Sequence, residues 1–427
     1  MPHPTHQSAR CRLACLAALL ACAAGCASAP PAWPGWRGVG RQAITADVPG
    51  MLPEQKRVLW QRPLTGPGLA GVVVANGRVV VSDKDEAATH DIFRCLDALT
   101  GAPIWTLRYL AAGDMDSTNA PRATPLVHDG LVYLLGAFGH LHCVRLDTGQ
   151  VVWKRNLVED FGAHLPMWGM CSSPLITDGT LIVNPGAKDA SIVALNPRTG
   201  DVVWKCPGRQ AAYASFIVGA FGGVRQIVGY DFETLGGWRV DTGQRLWELR
   251  PEVNGDFNVP TPIDVGGKLL VATENNGARL YGFAPGGKIV PKPLAANLDL
   301  VPDTSSPVVL DGKLFGAAGA LFCLDLDHGL KTLWEGVTDY AYNDYVSLIA
   351  GNGRILVTTA SGELLLVNAS AEKYELVSRL RLFDEGVLSH PALVGDRLYV
   401  RSDSAIVCLR LGESQPKAKP KAAAEVK

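Results

Sequence analysis

The chain has 427 residues, of which 47% are hydrophobic, and its formal net charge is −1. A net charge this close to zero excludes the overall positive charge of a general nucleic-acid-binding protein, so no nucleic-acid partner is expected. Forty-six Gly and 28 Pro, with short apolar runs between them, indicate an all-β chain with many turns.

The first residues have the pattern of a bacterial export signal. Two arginines precede an apolar stretch, residues 13–24, which is too short to span a bilayer. The stretch leads into Ala-Ala-Gly-Cys26, which resembles a lipobox, the bacterial signal for lipid attachment to cysteine. We interpret residues 1–26 as a lipoprotein-type signal segment with Cys26 as the lipid-attachment site, which would tether the chain to a membrane. Ordinary cleavage after Ala29, with secretion, is the alternative.

Residues 27–57 are rich in Pro and Gly and contain Trp33-Pro-Gly-Trp-Arg-Gly38. This composition predicts a linker followed by an N-terminal packed edge segment without regular structure. The next residues, Val58-Leu-Trp60-Gln-Arg-Pro-Leu64, closely match Val151–Leu157, although no strand precedes them. They are predicted to be the last strand of an incomplete repeat.

From residue 65 onward the chain repeats one unit of four short strands. An apolar first strand, often introduced by a Ser/Thr-Pro pair, leads into a Gly-containing turn and a second apolar strand. The eight turns between first and second strands are Asn76-Gly77, Asp129-Gly130, Asp178-Gly179, Gly222-Gly223, Gly266-Gly267, Asp311-Gly312, Asn352-Gly353 and Gly395-Asp396. Such pairs favour type I′ hairpins because both central residues need positive φ.

The spacing of these turns predicts the architecture. The intervals are 53, 49, 44, 44, 45, 41 and 43 residues, close to the period of a propeller blade. The eighth unit ends at Leu411 after three strands, and the orphan strand 58–64 supplies the fourth. We therefore predict an all-β, eight-bladed β-propeller over residues 58–411, closed by pairing an N-terminal strand into the last blade.

A Gly-containing turn followed by a tryptophan recurs near the end of the units. We call these residues the blade latch: Asp97, Gly101, Trp105, Asp147, Gly149, Trp153, Gly200, Trp204, Asp241, Gly243, Trp247, Gly329 and Trp334, with Trp60 in the orphan strand. We expect the Asp side chain to bond amides of its own turn, Gly to supply positive φ and Trp to pack between neighbouring blades. Blades five and seven lack the Trp and are expected to be looser.

The repeated Asp-Thr-Gly at Asp147 and Asp241 superficially resembles the paired motif of aspartic proteases. Those enzymes need two carboxylates about 3 Å apart. Members of a repeat series lie in different blades, so the structural interpretation is preferred.

Cys95, Cys143, Cys323 and Cys408 occupy one equivalent position in four units. Side chains that fill one position in separate units point away from each other, so we expect small core residues rather than disulfides. Whether Cys171 and Cys206 pair is left open.

The connections between blades carry acidic and aromatic residues suited to recognition. We take as candidates Asp116, Trp168, Asp256, Asn258, Tyr342 and Asp344, on an acidic, aromatic surface for a protein segment or small ligand. Ordinary solvated loops are the alternative. No catalytic residue or metal-ligand set is identified, and His140-Leu-His142 has no acidic or Cys partner at ligand spacing. Residues 412–427, rich in Lys, Pro and Ala, are predicted to be a disordered tail.

The pattern apolar-Asp-x-x-Thr-Gly-x-x-x-Trp, repeated over residues 58–411, resembles the pyrroloquinoline-quinone (PQQ)-like propeller repeat family. That family contains quinoprotein dehydrogenases and non-enzymatic lipoproteins of outer-membrane assembly. In that family, the enzymes carry PQQ, a calcium ion and a catalytic Asp at the ring centre. Many alcohol dehydrogenases among them also have two adjacent cysteines near the cofactor, so a resemblance to the enzymes would imply these features. This chain has no adjacent Cys pair and little insertion to build a pocket, so no cofactor is predicted.

We therefore predict an exported, lipid-anchored, monomeric scaffold on the periplasmic face of a bacterial membrane, in particular the outer membrane. Its expected partners are envelope proteins or peptide segments, with a role in outer-membrane protein assembly. The alternative is a quinoprotein oxidoreductase with an atypical site, which would bind PQQ with Ca²⁺.

Overall fold

The computed structural model describes residues 32–336, 340–370 and 372–412. Cys26, the rest of the predicted signal segment and the predicted tail from residue 413 onward lie outside the described residues. The described chain is an eight-bladed β-propeller, as predicted. Each blade is a four-stranded antiparallel sheet in which neighbouring strands follow one another in sequence, except in the closing blade.

Blades one to four follow in chain order after the orphan strand β1 (Val58–Pro63). Their strands are β2 (Val73–Ala75), β3 (Arg78–Lys84), β4 (His90–Asp97) and β5 (Pro103–Leu110); β6 (Leu126–His128), β7 (Leu131–Leu135), β8 (His140–Arg145) and β9 (Val151–Asn156); β10 (Leu175–Thr177), β11 (Thr180–Val183), β12 (Ile192–Leu195) and β13 (Val202–Cys206); β14 (Ile217–Phe221), β15 (Val224–Tyr230), β16 (Leu235–Arg239) and β17 (Arg245–Leu249). A short helix, α1 (Leu157–Phe161), follows β9.

Blades five to eight complete the ring. Their strands are β18 (Ile263–Val265), β19 (Lys268–Thr273), β20 (Gly277–Tyr281) and β21 (Ala295–Asn297); β22 (Val308–Leu310), β23 (Lys313–Ala317), β24 (Leu321–Asp325) and β25 (Lys331–Glu335); β26 (Val346–Gly351), β27 (Arg354–Thr359), β28 (Glu363–Asn368) and β29 (Leu376–Arg381); β30 (Ala392–Val394), β31 (Arg397–Arg401) and β32 (Ala405–Arg410). Two single 3₁₀ turns lie at Val39–Arg41 and Tyr340–Tyr342. Among the described residues, no helix has the length and apolar character needed to cross a membrane.

The ring closes as predicted. β1 pairs antiparallel with β32, which gives the eighth blade the order β1-β32-β31-β30. Trp60 of β1 lies opposite Cys408, and its Nε1 donates to the carbonyl of Ala98 in blade one at 3.1 Å. The N-terminal strand therefore holds the last blade to the first.

The hairpin turns follow the predicted chemistry at seven of eight positions. Both central residues have positive φ in these turns, as at Asn76 (50°) and Gly77 (71°). In the eighth turn only Gly395 has positive φ, so a type I′ hairpin is wrong there. Gly precedes Asp in that pair, which places the residue that tolerates positive φ first.

The latch tryptophans contact the next blade. Trp105 Nε1 donates to the carbonyl of Leu146 at 2.8 Å, and its ring lies against Gly149, where a methyl group would approach Cγ to 2.6 Å. The same arrangement joins Trp60 to Gly101, Trp153 to Gly200 and Trp204 to Gly243. Gly is required at these turns both for positive φ and because the indole occupies the space of a side chain.

The equivalent cysteines lie opposite these tryptophans. Cys95 pairs across the sheet with Trp105, Cys143 with Trp153, Cys323 with Trp334 and Cys408 with Trp60. A change of register follows each of these positions, so the bulged strand turns the indole toward the next blade. All four thiols are buried and free, which confirms that they are core residues. Cys171 and Cys206 are also free.

Two of the latch aspartates differ from the expected turn chemistry. Asp97 accepts from the amides of Leu99 and Thr100, as expected. In contrast, Asp147 accepts from the guanidinium of Arg145, and Asp241 does the same with Arg239. The reason is the spacing within the turn: Asp97 lies four residues before its turn glycine, whereas Asp147 and Asp241 lie two residues before theirs.

Blade five, which lacks the tryptophan, uses a different contact. Asn297 at the end of β21 donates to the carbonyl of Leu330 and to Thr332 Oγ1 in blade six. Gly329 is the latch glycine that would receive a tryptophan from blade five, and a methyl group added there would meet no atom within 4 Å. Blade seven also lacks the tryptophan, but each of its four strands has six residues.

Residues 33–47, which we call the axial segment, cross the ring centre rather than packing at an edge. The segment forms hydrogen bonds with every blade or with the connection entering it: Val74, Val127, Ser173, Phe216, Thr261, Pro307, Ala350 and Gly395. The expectation of an edge segment was therefore wrong. Arg37 and Arg41 fit here because carbonyls just before the first strands accept from their guanidinium groups at the axis, and Trp36 donates to Thr261 Oγ1.

Candidate functional site

The ring has two different faces. The hairpin turns lie on one, and the eight connections between blades lie on the other. A cavity of about 430 Å³ opens at the axis on the connection face. We call it the axial mouth, and all eight connections line it together with Trp36 of the axial segment: Leu69, Asp116, Ser117, Arg122, Trp168, Cys171, Ser173, Tyr213, Ser215, Val259, Thr261, Thr304, Tyr345 and Leu388.

Aromatic side chains form much of the wall. The Trp168 ring lies 4.7 Å from Tyr213 and 4.8 Å from Phe257 between centroids, and Phe257 is 42% exposed. Trp168 Nε1 donates to Asp116 Oδ2 at 3.1 Å. Trp36 is oriented by its own bond to Thr261 Oγ1 at 2.8 Å. The mouth thus presents fixed aromatic surfaces whose polar atoms already have partners.

Hydroxyl groups at the blade entrances fix the shape of the mouth. Gly71 N donates to Thr124 Oγ1, Thr124 N to Ser173 Oγ and Ser173 N to Ser215 Oγ, at 2.9–3.0 Å. Each hydroxyl comes from the following blade, so these bonds link successive blades around the axis. Thr124 and Ser173 belong to Ser/Thr-Pro pairs of the sequence, in which the proline holds the preceding residue extended.

Positive charge lies at the axis. The guanidinium of Arg122 donates to the carbonyls of Asp116, Thr118 and Ala120, and burial lowers its pKa. Deeper in the ring, burial lowers the pKa of Arg37 to about 10 and that of Arg41 to about 9. Arg41 donates to the carbonyls of Ser173, Pro174 and Phe216. These groups remain cationic at neutral pH and are held by backbone dipoles.

Negative charge lies around the rim. In the described part of the eight connections there are eleven Asp or Glu residues and three arginines, at 122, 209 and 250. Arg209 and Arg250 already pair with Glu233, at 3.4 and 2.8 Å. The mouth therefore combines an acidic rim with an aromatic wall.

The structure brings together some of the predicted recognition residues and separates others. Asp116 and Trp168 are hydrogen bonded in the wall, and Asp344 is exposed on the connection that enters blade seven. Asp256 and Asn258 are buried: the Asp256 carboxylate accepts from Asn275 N and Asn276 Nδ2. Asp256 therefore joins its connection to the loop between β19 and β20, and Asn258 donates to the carbonyl of Phe232.

The prediction for Tyr342 as a surface contact is wrong. Its side chain is 1% exposed and its hydroxyl lies 3.0 Å from that of Tyr374. The physical reason is that Tyr342 faces the core between blades six and seven, where its apolar ring is removed from water. Sequence position in a connection did not reveal which way the side chain turned.

Sequence reasoning also missed residues of the mouth. Trp36, Arg122 and Tyr345 are not among the predicted recognition residues, and Trp36 lies far from the connections in sequence. The Trp-Pro-Gly-Trp-Arg-Gly stretch was an available signal, since two tryptophans in an irregular segment need a buried environment. Nothing in the sequence located that environment at the axis.

The described residues do not fit PQQ with calcium, the group carried by the enzymes of the repeat family. Among the described residues that line the cavity, Asp116 is the single carboxylate, and it is bound to Trp168. Calcium takes six to eight oxygen ligands, usually with several carboxylates. In the described part of the chain no three His, Cys, Asp or Glu side chains are grouped to hold a metal ion.

Comparison with known proteins gives the family. The family model described as "Outer membrane protein assembly factor BamB" matches residues 40–163 and 88–336, more than half of the chain. The chain belongs to the BamB family. Outer membrane protein assembly factor BamB of Yersinia pestis is 22% identical over 331 residues, covering 74% of this chain and 79% of that protein.

Other relatives of this BamB-family chain are quinoprotein enzymes. Quinoprotein alcohol dehydrogenase PedH of Pseudomonas putida is 28% identical over 169 residues, 36% of this chain and 26% of the enzyme. The match thus spans about a quarter of that enzyme's length. The crystal structure of quinohemoprotein alcohol dehydrogenase from Comamonas testosteroni superposes with a TM-score of 0.63 at 15% identity, covering 92% of this chain and 82% of the enzyme. At that identity the likeness shows the propeller fold alone.

Proposed function

We propose that the chain is a protein-interaction scaffold of the cell envelope that acts, as a monomer, in outer-membrane protein assembly. The observation that supports this most directly is the axial mouth, to which every blade contributes and which has aromatic surfaces open to a partner. Rigid aromatic side chains in a concave site are typical anchors of protein interfaces. Membership of the BamB family favours the same role.

We further propose that Cys26 carries a lipid anchor and that the propeller faces the periplasm from the outer membrane. The lipobox-like Ala-Ala-Gly-Cys26 and the apolar stretch before it support this. Acyl chains supply membrane affinity through buried methylene groups, without a spanning helix.

Mild crosslinking in intact cells, followed by purification of the full chain from membranes, tests the proposal. We expect envelope proteins of the assembly machinery to co-purify with the wild-type chain and to be depleted with Trp168→Ala. A matched variant, Phe232→Ala, removes an exposed aromatic that does not line the mouth and should leave recovery unchanged. Recovery of no envelope partner would contradict the proposal.

The alternative, a quinoprotein oxidoreductase, is favoured only by the partial sequence match to dehydrogenases. Addition of PQQ and Ca²⁺ to the purified chain, followed by desalting, distinguishes the two. We expect no retained chromophore and no dye reduction with alcohols. A stoichiometric bound chromophore would support the enzyme.

A further inference from the structure

We infer that the axial mouth recognises a cationic protein segment: one apolar or aromatic side chain of that segment enters the cavity and packs against the Trp168–Tyr213 pair, while its Lys or Arg residues lie over the rim. The inference rests on the proposed scaffold function and specifies its partner. The inserted apolar side chain, which we call the anchor, occupies the cavity, and the basic residues of the partner contact the surrounding carboxylates.

The cavity selects the apolar anchor. Its wall is mostly aromatic and aliphatic, with Trp36, Leu69, Val259 and Leu388 beside the Trp168–Tyr213 pair. A volume of about 430 Å³ accommodates an aromatic side chain with its backbone. Removing apolar surface from water in such a pocket is the main source of affinity at protein interfaces.

The same cavity disfavours a charged anchor. Arg122 lies in its wall, and Arg37 and Arg41 lie below it in the ring centre. A Lys or Arg entering the cavity would lose hydration and meet like charge, whereas the carboxylate of Asp116 in the wall is already bonded to Trp168. Basic residues of the partner are therefore placed outside the cavity.

The rim selects the basic residues. Among the exposed carboxylates on the connections that form no ion pair with the described residues are Asp114, Glu252, Asp303, Asp344 and Asp384. They belong to five different connections, so negative potential surrounds the mouth rather than marking one loop. Complementary charge of this kind speeds association and rejects acidic partners.

The test uses three short labelled peptides and the purified full chain. The first has a central Phe flanked by lysines, the second replaces the lysines by glutamates, and the third replaces Phe by Ser. Fluorescence anisotropy should show binding of the first peptide alone, weakening as salt is raised. Trp168→Ala should raise its Kd about tenfold or more, with a smaller rise for Trp168→Phe.

Two triple variants isolate the charge. Asp114→Asn/Asp303→Asn/Asp344→Asn should weaken binding several-fold and flatten the salt dependence. The control Asp129→Asn/Asp178→Asn/Asp327→Asn removes the same charge from the hairpin-turn face and should change little. Circular dichroism confirms that each variant is folded.

The inference is overturned if the glutamate peptide binds as tightly as the lysine peptide, if no peptide binds, or if Trp168→Ala and the rim variant bind normally. The crosslinking result separates these failures from failure of the scaffold function. If envelope partners co-purify but the purified chain shows no preference for the basic peptide, the scaffold role stands and this partner chemistry is refuted.

Discussion

At the scale of single residues, the blade latch shows how one side chain joins two blades. The indole of Trp105 is buried, satisfies its N–H on the Leu146 carbonyl and fills the space beside Gly149. The small Cys95 opposite it leaves room for the ring. The contact between the two blades is therefore stabilised both by burial of the apolar ring and by one hydrogen bond.

The latch glycines provide a matched pair of substitutions. Gly149→Ala places a methyl group 2.6 Å from the Trp105 ring at φ 72°, whereas Gly329→Ala, at φ 75°, meets no atom within 4 Å. Both variants lose about 1 kcal/mol to backbone strain, and Gly149→Ala loses a further ~1–3 kcal/mol to overpacking. Chemical denaturation measures both, and equal losses would show that the indole contact contributes nothing.

Buried histidines predict the pH dependence of stability. Burial lowers the pKa of His142 to about 4, and His390 behaves in the same way. Between the ordinary pKa of 6.5 and the native value of about 4, the unfolded chain binds protons that the folded chain does not. Stability therefore falls as pH drops through this range, by on the order of 2–3 kcal/mol for each histidine.

The variant His142→Phe tests this, because it keeps a ring against Tyr109, whose centroid lies 4.3 Å away, and removes the titration. Its stability, measured by denaturation from neutral pH to pH 4.5, should fall less steeply on acidification than that of the wild type. His164→Gln, at an exposed position, should retain the wild-type slope. An unchanged slope in His142→Phe would contradict the argument.

At the scale of elements, the axial segment is the part of the chain that contacts every blade. Its backbone is strained at Arg37 and Arg41, which have positive φ of 56° and 59°. Such conformations persist only where surrounding contacts hold them. Here the contacts are carbonyls from the entrances of separate blades, so the segment braces the ring from inside.

Arg41→Leu should therefore be strongly destabilising. It removes a buried guanidinium and leaves carbonyls of Ser173, Pro174 and Phe216 without that donor. We expect a loss of about 3 kcal/mol in the free energy of unfolding. Arg145→Leu, which breaks the exposed pair with Asp147, should cost far less, because water screens that pair. Similar losses for the two variants in denaturant unfolding would argue against a bracing role.

At the scale of the whole molecule, the closed ring has two different faces and is held together by the closing strand and the axial segment. The closing strand β1 and the axial segment connect blades that are distant in sequence. The hairpin turns have two central residues each, whereas the longer connections converge on the mouth. The proposed partner contact and the proposed membrane tether thus belong to different parts of the chain.

The tether is tested by Cys26→Ala in the full chain. If acyl chains on this residue anchor the protein, the variant should move from the membrane fraction to the soluble fraction, because lipid burial is lost. Cys22→Ala, four residues earlier, should leave the distribution unchanged. Membrane fractionation with immunodetection measures both, and membrane retention of Cys26→Ala would contradict lipid attachment at this residue.

Much of the fold was predictable because its signals are local. The Asn-Gly and Asp-Gly turns, the short apolar strands and the repeated Gly-x-x-x-Trp spacing each act within one unit, and their period gave eight blades. Even closure was predictable, because Val58–Leu64 matches a fourth strand that the eighth unit lacks. The role of Asp147 was not predictable to the same degree. It lies two residues closer to its turn glycine than Asp97 does, and its carboxylate therefore accepts from Arg145 instead of from amides of the turn.

The site depends on contacts that no local pattern encodes. By itself the sequence determined the repeat, the hairpins and the ring, because turn chemistry and strand alternation act over a few residues. Only the tertiary structure placed Trp36, Trp168 and Tyr213 around one cavity, turned Tyr342 into the core and brought Arg37 and Arg41 to the axis. These positions are set by where eight blades converge, and convergence is a property of the closed ring.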